Sequence, residues 1–402
     1  MSGLNYALKA CALAAKHVTL VPFGLLSLCL AAAARFWPKP VDIGIGPEPL
    51  INQHCHKLAC IDAGYSAETF VTHLFYYTDD FDYVARRGFL WRCLLAWRCL
   101  FRYRALYFYF KGGPFAWTGL LRLEPWIYKI AGIKTLVTGY GGDCQDWNYC
   151  PNYLFKHAMN HDYPHVCQKN HRTRQRVERW TLHADHILSG CDWVDYTPRW
   201  NSLCTAHFTV DVNEMAPPDS SFPVNRGTVT VLHAPNHTEI KGSRYFAGAV
   251  EELRAEGYDV ELQFVQNKPN AELREMIRQA DIIADQLIIG WHGMFAVEGM
   301  SAGKPVLCYL RDDLLKLFEF AGLVLPGEVP LINCTRYTVK ERLRELLNNR
   351  ERMVEIGKLS REYAIRHHSI AAMGQVFGKA NRAMGILPRH ERMVEACMHM
   401  PS

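Results

Sequence analysis

The feature that most constrains this chain is the regular alternation of short apolar strands with helices that end at glycine. In the second half, "GTVTVLHAPN" (227–236) is a strand pattern, and "GSRYFAGAVEELRAEG" is a helical pattern that ends at Gly257. The alternation continues over 259–266, 270–280, 281–288, 294–303 and 304–310. Short units of this kind are typical of a mostly parallel sheet with helices on both faces.

The first half follows the same rule, so we predict two doubly wound α/β domains. Its patterns predict strands over 41–50, 66–73, 104–110 and 133–142, and helices over 51–65, 80–104 and 120–132. A chain of 402 residues also exceeds one ordinary core. The predicted division is 1–38 for an apolar N-terminal segment, 39–210 for the first domain, 211–226 for a Pro-, Ser- and Asn-rich linker, 227–370 for the second domain and 371–402 for a C-terminal helix and tail, loosely held from Leu387.

Composition narrows the class of protein. Apolar residues at 49% and charged residues at 21% indicate a folded globular chain, and a formal charge of +5 is too mild to indicate nucleic acid. The fourteen cysteines are scattered and form no C-x-x-C pair, which favours buried thiols in a reducing compartment. The "HCH" stretch at 54–56 lacks a second ligand cluster, so we predict no metal site.

Two segments point to a membrane. Residues 18–34 are uncharged and are flanked by lysine and arginine, but Pro22 and Gly24 interrupt a run that is barely long enough to span a bilayer. We favour a membrane anchor or half-inserted helix; a core helix is the alternative, and a cleaved signal is favoured least. Residues 85–110 mix arginines with Trp and Phe, as at an anionic membrane interface, although a simply solvated helix is the alternative.

Two loops of the second half follow strands and carry candidate ligand groups. Lys241 and Gly242 precede a helix, where an ammonium and free backbone amides favour a phosphate. Gly290 and Gly293 allow close approach of a ligand to the backbone, and Glu298 lies one turn into the next helix. A carboxylate there can accept hydrogen bonds from the vicinal hydroxyls of a ribose. The residues on either side of Glu298 are apolar or small, which is not typical of a surface position. A buried acid without a partner is costly, so a functional role is favoured.

The stretch "EGMSAGKPV" (298–306) resembles a signature of GT-B fold glycosyltransferases, especially glycosyltransferase family 4. "KGSRYFAGAVEELRAEG", "HFTVDVNEMAP" and "ADHILSGCDWV" resemble further elements of that family. The resemblance is good over 227–310 and looser over 40–210. It implies two Rossmann-like domains that face a cleft, a nucleotide-sugar donor and no metal requirement.

The resemblance also implies roles for individual residues. Glu298 would contact the ribose of the donor, and Lys241 would bind its phosphates. Where family members often carry an arginine this chain has Asn236, and where they usually carry a further glutamate it has Gly290. Nearby residues that could compensate are His237, Asp285 and His292, and both His292 and Lys241 are also candidate catalytic residues.

Loops in the first half supply the acceptor side of the predicted cleft. "GPEP" (46–49) follows the first strand, and "GYGGDCQD" (139–146) follows a later one. Asp143 could orient an acceptor hydroxyl or act as a base, although a turn-forming aspartate after glycines is equally ordinary. The family resemblance implies that a retaining enzyme of this type uses the donor's own phosphate instead of a protein base.

The sequence therefore predicts a glycosyltransferase, retaining in stereochemistry, that moves a sugar from a nucleotide-sugar donor to a saccharide or lipid-linked acceptor. We expect it at the cytoplasmic face of a membrane, in surface polysaccharide or glycolipid synthesis. Two alternatives remain, a GT-B fold nucleotide-sugar epimerase and a non-catalytic nucleotide-sugar-binding protein.

Overall fold

The computed structural model describes residues 20–74, 79–168, 170–217 and 227–392. The parts of the predicted N-terminal segment, linker and tail that fall on 1–19, 218–226 and 393–402 lie outside the described residues.

The first sheet is fully parallel and has the strand order β3-β2-β1-β4-β5-β6-β7. Its strands are β1 (Val41–Ile45), β2 (Ala67–Val71), β3 (Tyr83–Val84), β4 (Tyr103–Tyr109), β5 (Lys134–Thr138), β6 (His186–Ser189) and β7 (Ser202–Leu203). All five residues of β1 are buried, as expected for a central strand covered on both faces. The order of the strands reverses between β1 and β4, which opens a crevice at their carboxyl ends.

Helices cover this sheet, and one of them begins later than predicted. They are α1 (residues 20–35), α2 (Asn52–Asp62), α3 (Phe89–Arg102), α4 (Glu124–Ala131), α5 (Tyr153–Asp162), α6 (Pro164–Cys167) and α7 (Asn170–His183). The helix predicted over 80–104 begins only at Phe89, because Gly88 has a positive φ of 120° and Tyr83–Val84 pairs with β2 as an edge strand.

The second sheet is also parallel, with the order β12-β11-β10-β8-β9. Its strands are β8 (Val229–His233), β9 (Val260–Phe264), β10 (Ile282–Gln286), β11 (Val306–Cys308) and β12 (Ile332–Asn333). Its helices are α8 (Thr238–Lys241), α9 (Ser243–Ala255), α10 (Asn270–Gln279), α11 (Met294–Ser301), α12 (Asp312–Phe320) and α13 (Val339–Asn348). The predicted α/β class with parallel sheets is confirmed, and the order reverses here between β8 and β10.

The C-terminal helices return to the first sheet. Helix α14 (Arg350–His368) ends at Ser369, whose hydroxyl accepts a hydrogen bond from the Ala372 N–H at 3.1 Å and so caps α15 (Ile370–Ala383). Helix α15 packs on α2, and Tyr107 of β4 donates a buried hydrogen bond of 2.7 Å to Asn381. The tail predicted to be loosely held is packed as far as residue 392, where Arg392 pairs with the buried Asp42.

Helix α1 packs along the outside of the first domain. Phe23 lies 5.3 Å from the Trp97 ring of α3, and the Trp97 indole donates to the Ser27 hydroxyl at 3.0 Å. On the other side, Arg35 reaches the Lys129 carbonyl of α4 at 3.4 Å. Within the described residues, no helix is both long enough and apolar enough to cross a membrane.

Candidate ligand-binding cleft

A cavity of about 300 Å³ lies between the carboxyl ends of the two sheets. The loops that follow β1 and β8, each next to a reversal of strand order, both reach it. Open α/β sheets bind ligands at such positions. The lining residues that carry polar groups are Asn52, Tyr109, Tyr140, His207, Asn236, Gln266, Asn267, Lys268, Asn270 and Glu298.

Glu298 is a buried carboxylate on the wall of this cavity. It lies in α11 and is 3% exposed. Nε of Arg274, which belongs to α10, lies 3.4 Å from Oε1 of Glu298. Burial raises the pKa of Glu298, and Arg274 together with the Asn270 side chain partly offsets that rise. The contacts from Arg274 and Asn270 still leave lone pairs of the Glu298 carboxylate available, so it can accept hydrogen bonds from a ligand.

Lys241 is held at the same end of the second sheet by the buried carboxylate of Asp285. The Lys241 ammonium lies 2.8 Å from Oδ1 of Asp285, whose Oδ2 accepts the Gly293 N–H at 2.8 Å. Gly293 precedes α11, and a Cβ at that position would lie only 3.2 Å from the ammonium. The predicted lysine and the predicted helix start are therefore adjacent. Two of the three ammonium N–H groups remain for a ligand.

The structure explains why glycine occupies position 242 and shows where the side chains of the preceding loop lie. Gly242 links α8 to α9 with a φ of 78°, and a Cβ there would lie 3.2 Å from that of Leu287. Asn236 is exposed and lines the cavity, whereas the exposed His237 lies at 3.5 Å from the Tyr163 hydroxyl. Sequence reasoning placed both in this loop, and the structure brings only Asn236 onto the cavity wall.

Gly290 has a packing role that the sequence did not indicate. Its φ is 98°, and the space beside its Cα is filled by Arg311, since a Cβ would lie 2.7 Å from Arg311 Cδ. Arg311 in turn pairs with Asp195 of the first domain and with Asp313. Gly290 thus admits an arginine that joins the two domains, and its assignment as a donor contact stays a prediction.

His292 lies in the packed interior next to the loop after β10. Its ring is 2% exposed and packs beside Trp291 and His368, with centroid distances of 5.3 Å to each. Burial lowers the pKa of His292 to about 3, so the imidazole is neutral near pH 7. His292 is therefore buried and lies outside the described lining of the cavity, and its catalytic role stays a prediction.

Asp143 is used by the fold. Its carboxylate accepts backbone N–H groups from Phe110 at 3.0 Å, Tyr140 at 2.9 Å and Gly141 at 3.1 Å. The side chain is 1% exposed, and burial raises its pKa to about 7. These contacts fix the loop after β5 against the end of β4, which corrects the assignment of Asp143 as a base or acceptor-orienting group.

The wall from the first domain includes residues that sequence reasoning missed. His207 donates from Nε2 to the Gly139 carbonyl at 2.7 Å, and Asn52 donates to the His207 carbonyl at 2.9 Å. Tyr109 and Tyr140 meet edge to face at 5.0 Å beside them. The only sequence signal was their position at or near strand ends, because these contacts join segments that are far apart in the chain.

No group of three or more His, Cys, Asp or Glu side chains that could hold a metal ion occurs among the residues that the structure describes. Glu298 is the one carboxylate of the described cavity lining.

Comparison with known proteins identifies the fold. The sequence matches no protein-family model and no curated protein. The structure is similar to sucrose-phosphate synthase from Thermosynechococcus elongatus, with a TM-score of 0.53 and 12% identity over 86% of this chain and 96% of that one. It is also similar to an alpha-glucosyltransferase solved with UDP-glucose and DNA containing an abasic site, with a TM-score of 0.52 and 12% identity over 85% and 99% of the two chains.

A third similar structure is WaaG, a glycosyltransferase involved in lipopolysaccharide biosynthesis, with a TM-score of 0.50 and 12% identity over 84% of this chain and 99% of that one. These neighbours are GT-B proteins, so the chain has the GT-B fold.

The packing of Gly290 leads to a stability prediction. Gly290→Ala should lower the free energy of unfolding by about 2 kcal/mol or more, because the new Cβ adds an unfavourable φ and displaces Arg311. Denaturant unfolding measures the change. Gly142→Ala is the control, since a Cβ there would meet nothing within 4 Å. Equal stability of the two variants would contradict the packing described for Gly290.

Proposed function

We propose that this GT-B chain is a glycosyltransferase that moves a sugar from a nucleotide-sugar donor to a saccharide or lipid-linked acceptor. The observation that carries the proposal is the buried Glu298 carboxylate on the wall of the cleft between the two sheets. The resemblance of 298–306 to glycosyltransferase family 4 supports the same assignment and makes that family the proposed relationship.

Each end of the donor has a candidate partner on the second domain. Glu298 would accept hydrogen bonds from the ribose hydroxyls. The diphosphate would lie near Lys241 and the first N–H groups of α11, where an ammonium and a helix N-terminus both favour negative charge. The same groups would stabilise the charge that develops on the diphosphate as the sugar leaves.

The proposed stereochemistry is retention, without a metal ion. Glu298 is the one carboxylate in the described lining, and Asp143 is occupied by three backbone N–H groups. His207 is buried, and burial lowers its pKa to about 4 while Nε2 bonds to Gly139. Because backbone groups engage both Asp143 and His207, the donor phosphate is the group we propose to take the acceptor proton. NMR of the anomeric proton in the product tests this, and inversion would refute it.

The contacts to the transferred sugar must differ from those of most family members. Gly290 provides no side chain, and its surroundings are filled by Arg311. We propose that the polar wall formed by Asn52 and His207, together with Tyr109 and Tyr140, meets the sugar or the acceptor.

The outer face of the first domain supports a membrane-associated acceptor. Exposed apolar side chains lie on α1, α3 and α4 and on the segments next to them: Val21, Leu25, Leu26, Phe36, Trp37, Phe89, Leu90, Leu94, Leu123, Trp126 and Ile130. Arg35, Arg86, Arg87 and Lys129 lie on or beside the same helices. An apolar surface bordered by cations suits an anionic bilayer, so we propose a peripheral position at the cytoplasmic face of a membrane.

The donor site is tested by substitution of its two charged residues. Glu298→Gln and Lys241→Gln should each weaken the binding of the preferred nucleoside diphosphate by about tenfold or more, because each removes a charged hydrogen-bonding partner. Calorimetric titration with UDP, GDP and ADP measures the affinity, and transfer from the matching nucleotide sugar should fall strongly.

Matched controls lie on the exposed face of α14. Glu355→Gln and Lys358→Gln make the same chemical changes away from the cleft and should leave affinity unchanged. Wild-type affinity in both cleft variants would refute the site. Because Gly290 and Asn236 replace charged family residues, binding without transfer to any acceptor would favour a nucleotide-sugar-binding protein. Alteration of the nucleotide sugar without acceptor would favour an epimerase.

Membrane association is tested by placing charge on the apolar face. The double variant Leu25→Glu with Trp126→Glu should reduce partition onto vesicles of phosphatidylglycerol and phosphatidylcholine by about tenfold or more. Both side chains are more than half exposed, so the fold should tolerate them. Leu359→Glu on α14, where the leucine is 45% exposed, is the control. Equal sedimentation of all three proteins with vesicles would exclude this face.

A further inference from the structure

A second large cavity lies at the opposite end of the first sheet from the cleft. Its volume is about 630 Å³, within the range of ligand pockets, and it is open to solvent. Asp42 at the start of β1, Arg104 at the start of β4 and Lys134 at the start of β5 line it. These are the amino ends of the strands, so the cavity is separate from the proposed donor site.

Cations from four separate segments converge on this cavity. They are Lys39, Arg104, Lys134, Arg389 and Arg392, and Asp42 is the one carboxylate among the described lining residues. Ser66 and Gly132 also line the cavity, and Trp37 adds an apolar side chain.

The buried Asp42 organises the two arginines that are farthest apart in the sequence. Its side chain is 3% exposed and contacts Arg104 at 3.3 Å and both terminal nitrogens of Arg392. It also accepts from the Ser66 hydroxyl at 2.9 Å. One carboxylate therefore balances two guanidinium groups, and each arginine keeps N–H donors that Asp42 does not use.

The remaining cations are only partly neutralised. Lys39 donates to the carbonyls of Ala34 at 2.7 Å and Ala131 at 3.1 Å, at the C-terminal ends of α1 and α4, and has no carboxylate partner among the described residues. Lys134 pairs with Asp185 at 2.9 Å. Arg389 is exposed and makes no ion pair within the part of the chain that the structure describes. The cavity thus keeps an excess of positive charge.

We propose that this cavity is a second anion site, which binds a phosphate-bearing ligand outside the cleft. Guanidinium groups offer paired N–H donors that match the oxygens of a phosphate, and more than one such group faces the same volume. The size of the cavity accommodates a diphosphate or a phosphorylated headgroup rather than a single small ion. The inference does not depend on the proposed transferase activity.

The phosphate could come from either of two sources. Trp37, 58% exposed, lines the cavity, and Phe36 before it is 87% exposed, so these two rings form an apolar face beside the cavity. A lipid whose tails met that face would bring its phosphate close to the arginines. A soluble phosphorylated molecule would use the same donors without the apolar face.

The test uses the full chain and inorganic pyrophosphate as the probe. Arg389→Gln and Arg104→Gln should each weaken pyrophosphate binding by about tenfold in a calorimetric titration. Arg389→Gln breaks no described ion pair, so it keeps the test valid if Arg104→Gln affects folding. Arg352→Gln on α14, an exposed arginine paired with Glu355 at 2.6 Å, is the matched control and should bind as the wild type does.

Two further measurements identify the source of the phosphate and separate this cavity from the cleft. If a lipid supplies the phosphate, Arg389→Gln also reduces retention on phosphatidylglycerol vesicles; if a soluble molecule does, retention is unchanged while pyrophosphate binding falls. Lys241→Gln reports any pyrophosphate bound in the cleft. The proposal is overturned if neither Arg389→Gln nor Arg104→Gln changes binding of pyrophosphate or vesicles, or if Lys241→Gln alone abolishes pyrophosphate binding.

Discussion

The buried carboxylate of Asp285 is the interaction on which the geometry of the cleft depends. It lies at the carboxyl end of β10 and binds two partners at 2.8 Å, the Lys241 ammonium and the Gly293 N–H. The first contact places the loop after β8, and the second places the start of α11. Glu298 lies four residues into that helix, so its position on the cavity wall follows from the same anchor. A buried charge is stable only when it is paired, and here the pairing also arranges the ligand groups.

Contacts between the two domains form a second layer around this anchor. Asn152 of the first domain donates to the carbonyls of Ile288 at 2.8 Å and Ile289 at 2.9 Å, in the loop after β10. Arg311 crosses from the second domain to Asp195 and fills the space that Gly290 leaves. The loop after β10 is therefore fixed from both domains. Helix α15, docked on α2, adds a third connection.

The sequence predicted the fold well because strand and helix periods are local properties. The α/β class and most elements follow from them, and the exception at 80–104 arose where Gly88 and a two-residue edge strand interrupt an otherwise helical composition. Motif resemblance similarly indicated Glu298, and the structure places it on the cavity wall. It could not indicate that Gly290 admits Arg311 or that Asp143 binds three backbone N–H groups, because those contacts join distant segments. For the same reason, the sequence did not indicate Arg274, His207 or the basic cavity at the amino ends of the first sheet's strands.

The central claim is that Glu298 holds the ribose hydroxyls of a nucleotide donor. The most direct test measures the affinity of the preferred nucleoside diphosphate and of its 2′-deoxy form, on the wild type and on Glu298→Gln. If the carboxylate accepts the 2′-hydroxyl, removal of that hydroxyl should weaken binding to the wild type by about tenfold and binding to the variant by much less. The same loss in both proteins would show that the hydroxyl and Glu298 do not interact, and would contradict the assignment of the cleft.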